Sequence, residues 1–107
     1  MGDWFVKRTL RLRGIGAAVK GKVWESDALL RVGRLASFEL VLDDSSVSRK
    51  HAEVRGDADG QWTVRDLEST NGTFVNGKRV VQAKLAVGDR LRVGRVELKV
   101  ARLSTGL

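Results

Sequence analysis

Two segments about twenty residues apart concentrate hydroxyl, guanidinium and amide side chains. The first, LDDSSVSRKHA, runs from Leu42 to Ala52, and the second, STNGTFVNG, runs from Ser69 to Gly77. Upstream of both, Arg34 follows Gly33 at the end of an apolar run. A guanidinium can hold two oxygens of a phosphate, and short hydroxyls can donate hydrogen bonds to the remaining oxygen. If a fold brings these segments together, the cluster suits a phosphate group carried on a peptide.

His51 is the only histidine, which raises the question of catalysis. No Ser–His–acid order and no paired acid and base stand out, so the sequence does not favour an enzyme. The chain has no cysteine, which excludes disulfides and thiolate metal sites, and a single histidine cannot form a His-rich metal site. We therefore expect no catalytic residues, no bound metal and no cofactor.

The formal charge is +7 and the isoelectric point is about 10.6, which favours anionic partners. Acidic or phosphorylated peptides, nucleic acid and a membrane surface all satisfy this condition. The basic residues are spread along the whole chain, so solvation of outward strand positions explains the excess equally well. Charge alone does not choose among these partners.

The tryptophans Trp4, Trp24 and Trp62 keep a nucleic-acid alternative open, because aromatic rings can stack on bases. Trp62 alternates with Val64, however, and is expected in the core, while Trp4 has no assigned role. A clustered set of hydroxyls and amides has no purpose on a non-specific electrostatic surface, so nucleic acid is the less favoured partner. A third alternative replaces phosphate binding with phospho-independent scaffolding or self-association through a sheet face.

Apolar and charged residues alternate along most of the chain, as expected of strands with one face in a core and one in water. The clearest period-two segments are 9–13, 29–32, 62–65, 90–93 and 96–100. Glycine-containing turn signals separate them, and regularly spaced short strands with such turns are typical of an all-β sandwich. No segment has a convincing helical period, and residues 17–24 are expected to form a strand.

The length of 107 residues fits one domain with its own core. No apolar run approaches the roughly 18 residues that a membrane span needs. The N-terminus, MGDWFVKR, lacks the basic and apolar regions of a secretion signal. We therefore expect no membrane span and a cytoplasmic location.

Four motifs in order along the chain resemble those of the forkhead-associated (FHA) domain, and the resemblance is closest to bacterial members. They are LRVGR (30–34), VLDDSSVSRKHAEV (41–54), RDLESTNGTFVNGKRV (65–80) and LAVGDRLRVGRVEL (85–98). The resemblance runs from about Leu29 to Val100. It implies an eleven-stranded β-sandwich with its binding loops at one end. It also implies a signalling module that mediates protein–protein interaction by binding phosphothreonine peptides.

The resemblance assigns ligand contacts to particular residues. Arg34 matches the phosphate-binding arginine of the family, and Ser48 matches its phosphate-contacting serine. Thr70 matches a position whose hydroxyl and backbone approach the phosphate, and Asn71 matches an asparagine that holds the ligand backbone. Arg49 lies where the family varies, and either adds a second positive contact or points to solvent.

Four further residues are expected to support the site rather than to touch the ligand. The resemblance makes His51 a buried histidine that organises the binding loops through hydrogen bonds. Gly33 and Gly72 serve backbone conformation or close packing. Asn76 belongs mainly to turn geometry and could buttress the loop.

The resemblance divides this single domain into three parts: N-terminal strands at 1–28 that are weakly matched, an FHA core at 29–103 and a loose tail at 104–107. The expected partner is a phosphothreonine-containing protein, itself a substrate of a Ser/Thr kinase. Its flanking residues are not specified, because Arg31, Arg49, Lys78 and Arg79 could each favour an acidic ligand position.

Overall fold

A computed structural model of the chain describes residues 9–104, all of which lie in strands, turns or loops. Residues 1–8, including Trp4, and residues 105–107 lie outside the described part. The strands are β1 (Thr9–Gly14), β2 (Val23–Ser26), β3 (Leu29–Gly33), β4 (Leu40–Val41), β5 (Ala52–Gly56), β6 (Trp62–Asp66), β7 (Thr73–Val75), β8 (Lys78–Val80), β9 (Gln82–Leu85), β10 (Arg90–Val93) and β11 (Val96–Ser104). The predicted eleven-stranded, all-β fold is confirmed.

The strands form two sheets. The six-stranded sheet has the order β2-β1-β11-β10-β7-β8, and the five-stranded sheet has the order β4-β3-β5-β6-β9. β3 and β4 pair in parallel, and the other strand pairs that have a described register are antiparallel. The weakly matched segment 1–28 contributes β1 and β2 to the six-stranded sheet, and β11 includes Ser104, the first residue of the expected tail.

The core lies between the inner faces of the two sheets. Leu12 and Leu98 of the six-stranded sheet and Val32 and Val64 of the five-stranded sheet are fully buried. Trp62 is 1 % exposed, as its alternation with Val64 predicted. Burying one such side chain stabilises the folded protein by about 1.5–3 kcal/mol. The inward apolar residues of the alternating pattern therefore hold the two sheets together.

The expected strand at 17–24 is wrong for most of its length. Residues 17–21 form turns, and β2 begins only at Val23. The Val19 N–H donates to the Gly16 carbonyl at 3.0 Å, the Lys22 N–H donates to the Val19 carbonyl at 2.9 Å, and Gly21 has a φ of 85°. These local hydrogen bonds and the positive φ, which glycine adopts without strain, outweigh the β propensity of Val19.

Four connections meet at one end of the sandwich. They are the segment after β3, the β4–β5 loop, the β6–β7 loop and the β10–β11 turn. Backbone bonds join them: Arg34 N–H to Ser48 O (3.2 Å), Leu67 N–H to His51 O (2.9 Å) and Gly94 N–H to Gly72 O (3.1 Å). The segments singled out in the sequence are therefore brought together by the fold.

Candidate functional site

Arg34 leaves β3 at the point where the chain passes closest to the β4–β5 loop. The Arg34 N–H donates to the Ser48 carbonyl at 3.2 Å, and the Leu35 N–H donates to the Arg49 carbonyl at 3.4 Å. A Cβ at Gly33 would overlap the Arg49 carbonyl oxygen and lie 3.1 Å from the Ser48 carbonyl oxygen. Glycine is required here so that the two segments can approach. The Arg34 side chain is exposed and forms no hydrogen bond or ion pair with any other residue in 9–104.

Ser48 joins the β4–β5 loop to the β6–β7 loop. Its hydroxyl oxygen accepts a hydrogen bond from the Thr70 N–H at 3.1 Å. That bond leaves the hydroxyl hydrogen free to donate to a ligand, because a serine hydroxyl is one donor and two acceptors. Thr70 and Asn71 are exposed, and Ser48 is half-buried. Thr70 and Asn71 therefore face solvent, next to Ser48, whose backbone is bonded to that of Arg34.

His51 lies beneath these loops and is 0 % exposed. Its Nδ1 accepts from the Ser48 N–H at 3.0 Å, and its Nε2 donates to the Gly72 carbonyl at 2.8 Å. Both bonds require the neutral ring protonated on Nε2, because Nδ1 acts as an acceptor. Burial lowers the pKa of His51 below its usual value, although the Gly72 carbonyl and the charge of Asp66 act in the opposite direction. The ring is occupied on both nitrogens and organises the loops from below.

Asn71 is also tied across the site. Its Nδ2 donates to the Ser46 carbonyl at 2.9 Å, which fixes the plane of the amide. The carbonyl oxygen of the same side chain accepts no hydrogen bond from the described residues. It is free to accept an N–H from an extended ligand, whereas one of the two amide donors is already used.

A half-buried carboxylate holds the β6–β7 loop. Asp66 accepts from the hydroxyls of Ser69 (2.6 Å) and Thr73 (2.7 Å) and from the Ser69 N–H (3.1 Å), and the Ser69 hydroxyl in turn accepts from the Gly72 N–H at 3.0 Å. Burial alone would raise the pKa of Asp66, but these hydrogen bonds outweigh it and the pKa is lowered. The hydrogen bonds of the charged carboxylate thus hold the β6–β7 loop in place.

The β10–β11 turn supports the site from the other sheet. Asp44 accepts from the Ser46 hydroxyl at 2.7 Å and from Arg95 Nε at 3.1 Å, and the Arg95 N–H donates to the Ser46 hydroxyl oxygen at 2.9 Å. The hydrogen bonds from Ser46, and then that from Arg95, lower the pKa of Asp44. Gly94 has a φ of 60°, and a Cβ there would lie 2.6 Å from the Ser46 hydroxyl oxygen.

The family model of the FHA domain matches residues 30–94, which is more than half of the chain. The chain is a member of the FHA family. The matched segment contains the Arg34 segment, both loops and Gly94 of the β10–β11 turn, whereas Arg95 lies just beyond it. The resemblance to the FHA family that the sequence motifs indicated is confirmed.

Among curated proteins, the glycogen accumulation regulator GarA of Mycolicibacterium smegmatis is 44% identical over 66 residues, which are 62% of this chain and 41% of GarA. An FHA domain solved in a study of phosphothreonine-dependent FHA interactions is 33% identical, with a TM-score of 0.76, covering 85% of this chain and 93% of that domain. EmbR of Mycobacterium tuberculosis, solved with a low-affinity phosphopeptide, is 31% identical, with a TM-score of 0.79, covering 92% of this chain and 25% of EmbR. The FHA chain spans less than half the length of GarA. Within residues 9–104, no helix is long and apolar enough to span a membrane.

The structure of this FHA domain brings together the five residues expected to touch a ligand. Arg34, Ser48 and Thr70 are linked through backbone and hydroxyl groups, Arg49 follows Ser48 and is exposed, and Asn71 follows Thr70. Whether each contacts a phosphopeptide stays a prediction. The arrangement offers free guanidinium and hydroxyl groups, and two nearby carboxylates are already committed to protein partners.

Gly72 and Asn76, two of the residues expected to support the site, both lie in connections between strands. Gly72 has a φ of 90° and Asn76 a φ of 51°, the left-handed region that suits glycine and asparagine in turns. Asn76 Nδ2 donates to Asp89 at 3.0 Å, and its Oδ1 accepts from the Arg90 N–H at 2.9 Å. Asn76 therefore fixes the β7–β8 turn against β10, in the sheet whose strand β7 follows Gly72.

Sequence reasoning missed the contribution of Gly94 and Arg95. A signal was present, because the tetrapeptide RVGR occurs at 31–34 and again at 92–95. The two copies differ in the structure, since Arg95 is paired with Asp44 whereas Arg34 is unpaired among residues 9–104. Local sequence does not distinguish them, because the difference depends on which loop packs against each.

Proposed function

We propose that this FHA domain binds phosphothreonine in partner proteins, with Arg34, Ser48 and Thr70 around the phosphate and Asn71 on the ligand backbone. Phosphopeptide binding as such follows from family membership, because FHA domains recognise phosphorylated segments through arginine clusters. Arg49 adds a second positive charge at the rim. The assignment of these residues is the part that needs testing.

One observation supports the assignment most strongly: three segments distant in sequence are tied to one another directly at the proposed site. The Arg34 N–H bonds to the Ser48 carbonyl, and the Thr70 N–H bonds to the Ser48 hydroxyl. The site is therefore formed before ligand arrives, and little ordering free energy is lost on binding. A phosphate carries about two negative charges near neutral pH, and its hydrogen bonds to an arginine are charge-assisted and strong.

Preference for phosphothreonine over phosphoserine is part of the proposal. It requires the γ-methyl to be buried against the loops, and one buried methyl is worth on the order of 1 kcal/mol, about fivefold in affinity. Aspartate or glutamate in place of the phosphorylated residue should bind poorly, because each carries one charge with a different geometry.

The decisive experiment is a fluorescence-polarisation titration with a degenerate phosphothreonine peptide library and its unphosphorylated counterpart. Arg34→Ala should weaken phosphopeptide binding about 100-fold or more, since it removes charge-assisted hydrogen bonds worth about 1.5–3 kcal/mol each. Arg55→Ala is the matched control, because Arg55 is an exposed arginine on the five-stranded sheet, on β5. Equal binding of the two libraries, or equal losses in the two variants, would refute the proposal.

One contact narrows the set of arginines that could select the ligand residues next to the phosphothreonine. Arg31 bonds to Glu39 through Nε (2.9 Å) and Nη2 (2.5 Å), and its hydrogen bonds lower the pKa of Glu39 to about 2. Its charge is thereby matched within the protein. We propose that Arg49 and Arg79, rather than Arg31, select acidic residues near the phosphothreonine.

The finer identity of the partner and its location are also proposals. GarA is named as a regulator of glycogen accumulation, and a relative from Corynebacterium jeikeium, 41% identical over 66 residues, is named an oxoglutarate dehydrogenase inhibitor. These names support a regulatory role. We propose in addition that the domain acts by binding, without catalysis, and in the cytoplasm. The partner is then a protein phosphorylated by a Ser/Thr kinase.

A further inference from the structure

Three cations lie directly opposite one another on the outer face of the six-stranded sheet. Arg13 of β1 pairs with Lys99 of β11, and Lys99 pairs on its other side with Arg90 of β10. Neighbouring strands are about 4.8 Å apart, so this basic row (Arg13, Lys99, Arg90) is about 10 Å long. Like charges directly opposite one another destabilise a sheet. The basic row is therefore expected to lower the stability of the six-stranded sheet.

The five-stranded sheet of the same chain follows that rule. There Arg31 of β3 pairs with Glu53 of β5, and Glu53 pairs on its other side with Arg65 of β6. A carboxylate thus lies between two arginines, whereas the corresponding middle position of the basic row is Lys99. A local arrangement that opposes stability is expected where the surface serves another purpose.

Little in residues 9–104 compensates the row. The Arg13 and Lys99 side chains make no hydrogen bond or ion pair with any residue of the described part. Glu97 lies 3.9 Å from Arg90, but both side chains are largely exposed, at 43% and 66%, and such a pair contributes little. In the next outward pair along β1 and β11, Arg11 lies opposite Arg102, and Arg11 is bonded to Glu25 of β2 at 2.7 Å.

We propose that the basic row is a second docking surface, which takes an acidic, extended segment of a partner protein independently of the Arg34 site. Outward side chains on one strand recur about every 6.8 Å, as do alternate side chains of an extended peptide. Carboxylates at alternate positions of such a segment would therefore meet Arg90 and Arg92 on β10, the first of them one strand spacing from Lys99.

The same face offers little to bases of a nucleic acid. Phe74 lies opposite Arg92, and the Arg92 guanidinium covers its ring at 3.9 Å from the centroid. Trp24 packs against the core. Sequence-tolerant binding of single strands depends on free aromatic platforms, which residues 9–104 do not provide on this face.

One substitution distinguishes a docking surface from a face that is only solvated, through its effects on melting temperature and on binding. Lys99→Glu recreates the Arg–Glu–Arg order of the five-stranded sheet and should raise the melting temperature. The same substitution should weaken binding of an acidic segment. Greater stability together with weaker binding indicates that Lys99 is kept for an anionic partner.

The test uses a labelled, unphosphorylated peptide of alternating Glu and Ser, titrated by fluorescence anisotropy at low salt. Replacing the basic row by glutamine (R13Q, K99Q, R90Q) should weaken binding about tenfold, since each exposed ion pair contributes modestly. The control removes three cations from the other sheet (R55Q, R65Q, K84Q) and should change affinity about twofold or less. Arg34→Ala should leave this affinity unchanged, which separates the result from phosphopeptide binding.

Equal losses in the two triple variants would overturn the proposal, because net charge alone would then explain binding. So would full binding by Lys99→Glu. Row-dependent binding of a single-stranded oligonucleotide or of phosphatidylserine vesicles, without binding of the acidic peptide, would also overturn it in favour of that other polyanion.

Discussion

His51 offers the most direct test of how the loops are held, because one side chain bonds to two of them. His51→Ala removes the acceptor of the Ser48 N–H and one of two donors to the Gly72 carbonyl, which keeps the Gly94 N–H. Ser48 and Gly72 should both lose their fixed positions. We expect a less stable protein and a weaker phosphopeptide site.

The magnitude follows from the three losses. An unpaired Ser48 N–H costs about 1–3 kcal/mol, and the lost bond to the Gly72 carbonyl contributes about 1 kcal/mol. The imidazole is fully buried, so its removal leaves a cavity that adds about 1 kcal/mol. The total is about 4 kcal/mol, which lowers the melting temperature of a domain of this size by about 15 °C.

Two milder substitutions separate the two bonds. Asparagine places a carbonyl oxygen near the position of Nδ1 and can still accept from Ser48, whereas glutamine places an amide nitrogen near Nε2 and can still donate to Gly72. His51→Asn and His51→Gln should each lose about half of the stability that His51→Ala loses. The assays are thermal unfolding and titration with the phosphothreonine library. A melting temperature of His51→Ala within about 3 °C of the unmodified protein would refute the reasoning.

Three further outcomes are expected. Because burial lowers the pKa of His51, the unfolded chain binds a proton at this residue more readily than the folded protein does. The free energy of unfolding should therefore be greatest above about pH 6.5 and fall below that pH by at most about 1.4 kcal/mol per pH unit. Urea unfolding between pH 7 and pH 5 should show this decline in the unmodified protein and a flatter one in His51→Asn. Gly33→Ala forces its Cβ against the Arg49 carbonyl and should reduce phosphopeptide affinity at least tenfold while the far end of the sandwich keeps its amide exchange rates. Asn76→Asp removes a donor and faces the Asp89 carboxylate, so the melting temperature should fall by about 5–10 °C at pH 7 and recover partly at pH 4.

The strands and their inner faces could be predicted because they are encoded locally. Alternation of apolar and charged residues identified β1, β3, β6, β10 and β11 within a residue or two at their starts. The pattern requires no knowledge of which strand neighbours which. The sandwich followed from the same pattern, and its strand number followed from the family resemblance.

The connections could not be predicted in the same way, because their contacts join residues that are far apart in sequence. Asn71 bonds to the Ser46 carbonyl, 25 residues earlier, and Arg95 bonds to the Ser46 hydroxyl, 49 residues earlier. No local pattern specifies such pairs. The turns at 17–21 were missed for a related reason, since Gly16, Gly21 and local hydrogen bonds override the β propensity of Val19.

The basic row was equally hidden in the sequence. Its members come from β1, β10 and β11, and they face one another only through the strand register. That register includes a shift between Arg11 and Leu12 in the pairing of β1 with β11. The spread of basic residues along the chain therefore gave no indication that some of them would form a row.

The Gly72 carbonyl oxygen accepts hydrogen bonds from His51 Nε2 and from the Gly94 N–H. His51 leads into β5 of the five-stranded sheet, and Gly94 connects two strands of the six-stranded sheet, so one oxygen atom fastens both layers together. Under mechanical load, the layers should part first at the opposite end and open toward this fastening. A peptide bound beside Gly72 would then slow unfolding under force. The force needed to unfold the domain should rise with the fraction of the sites that hold peptide.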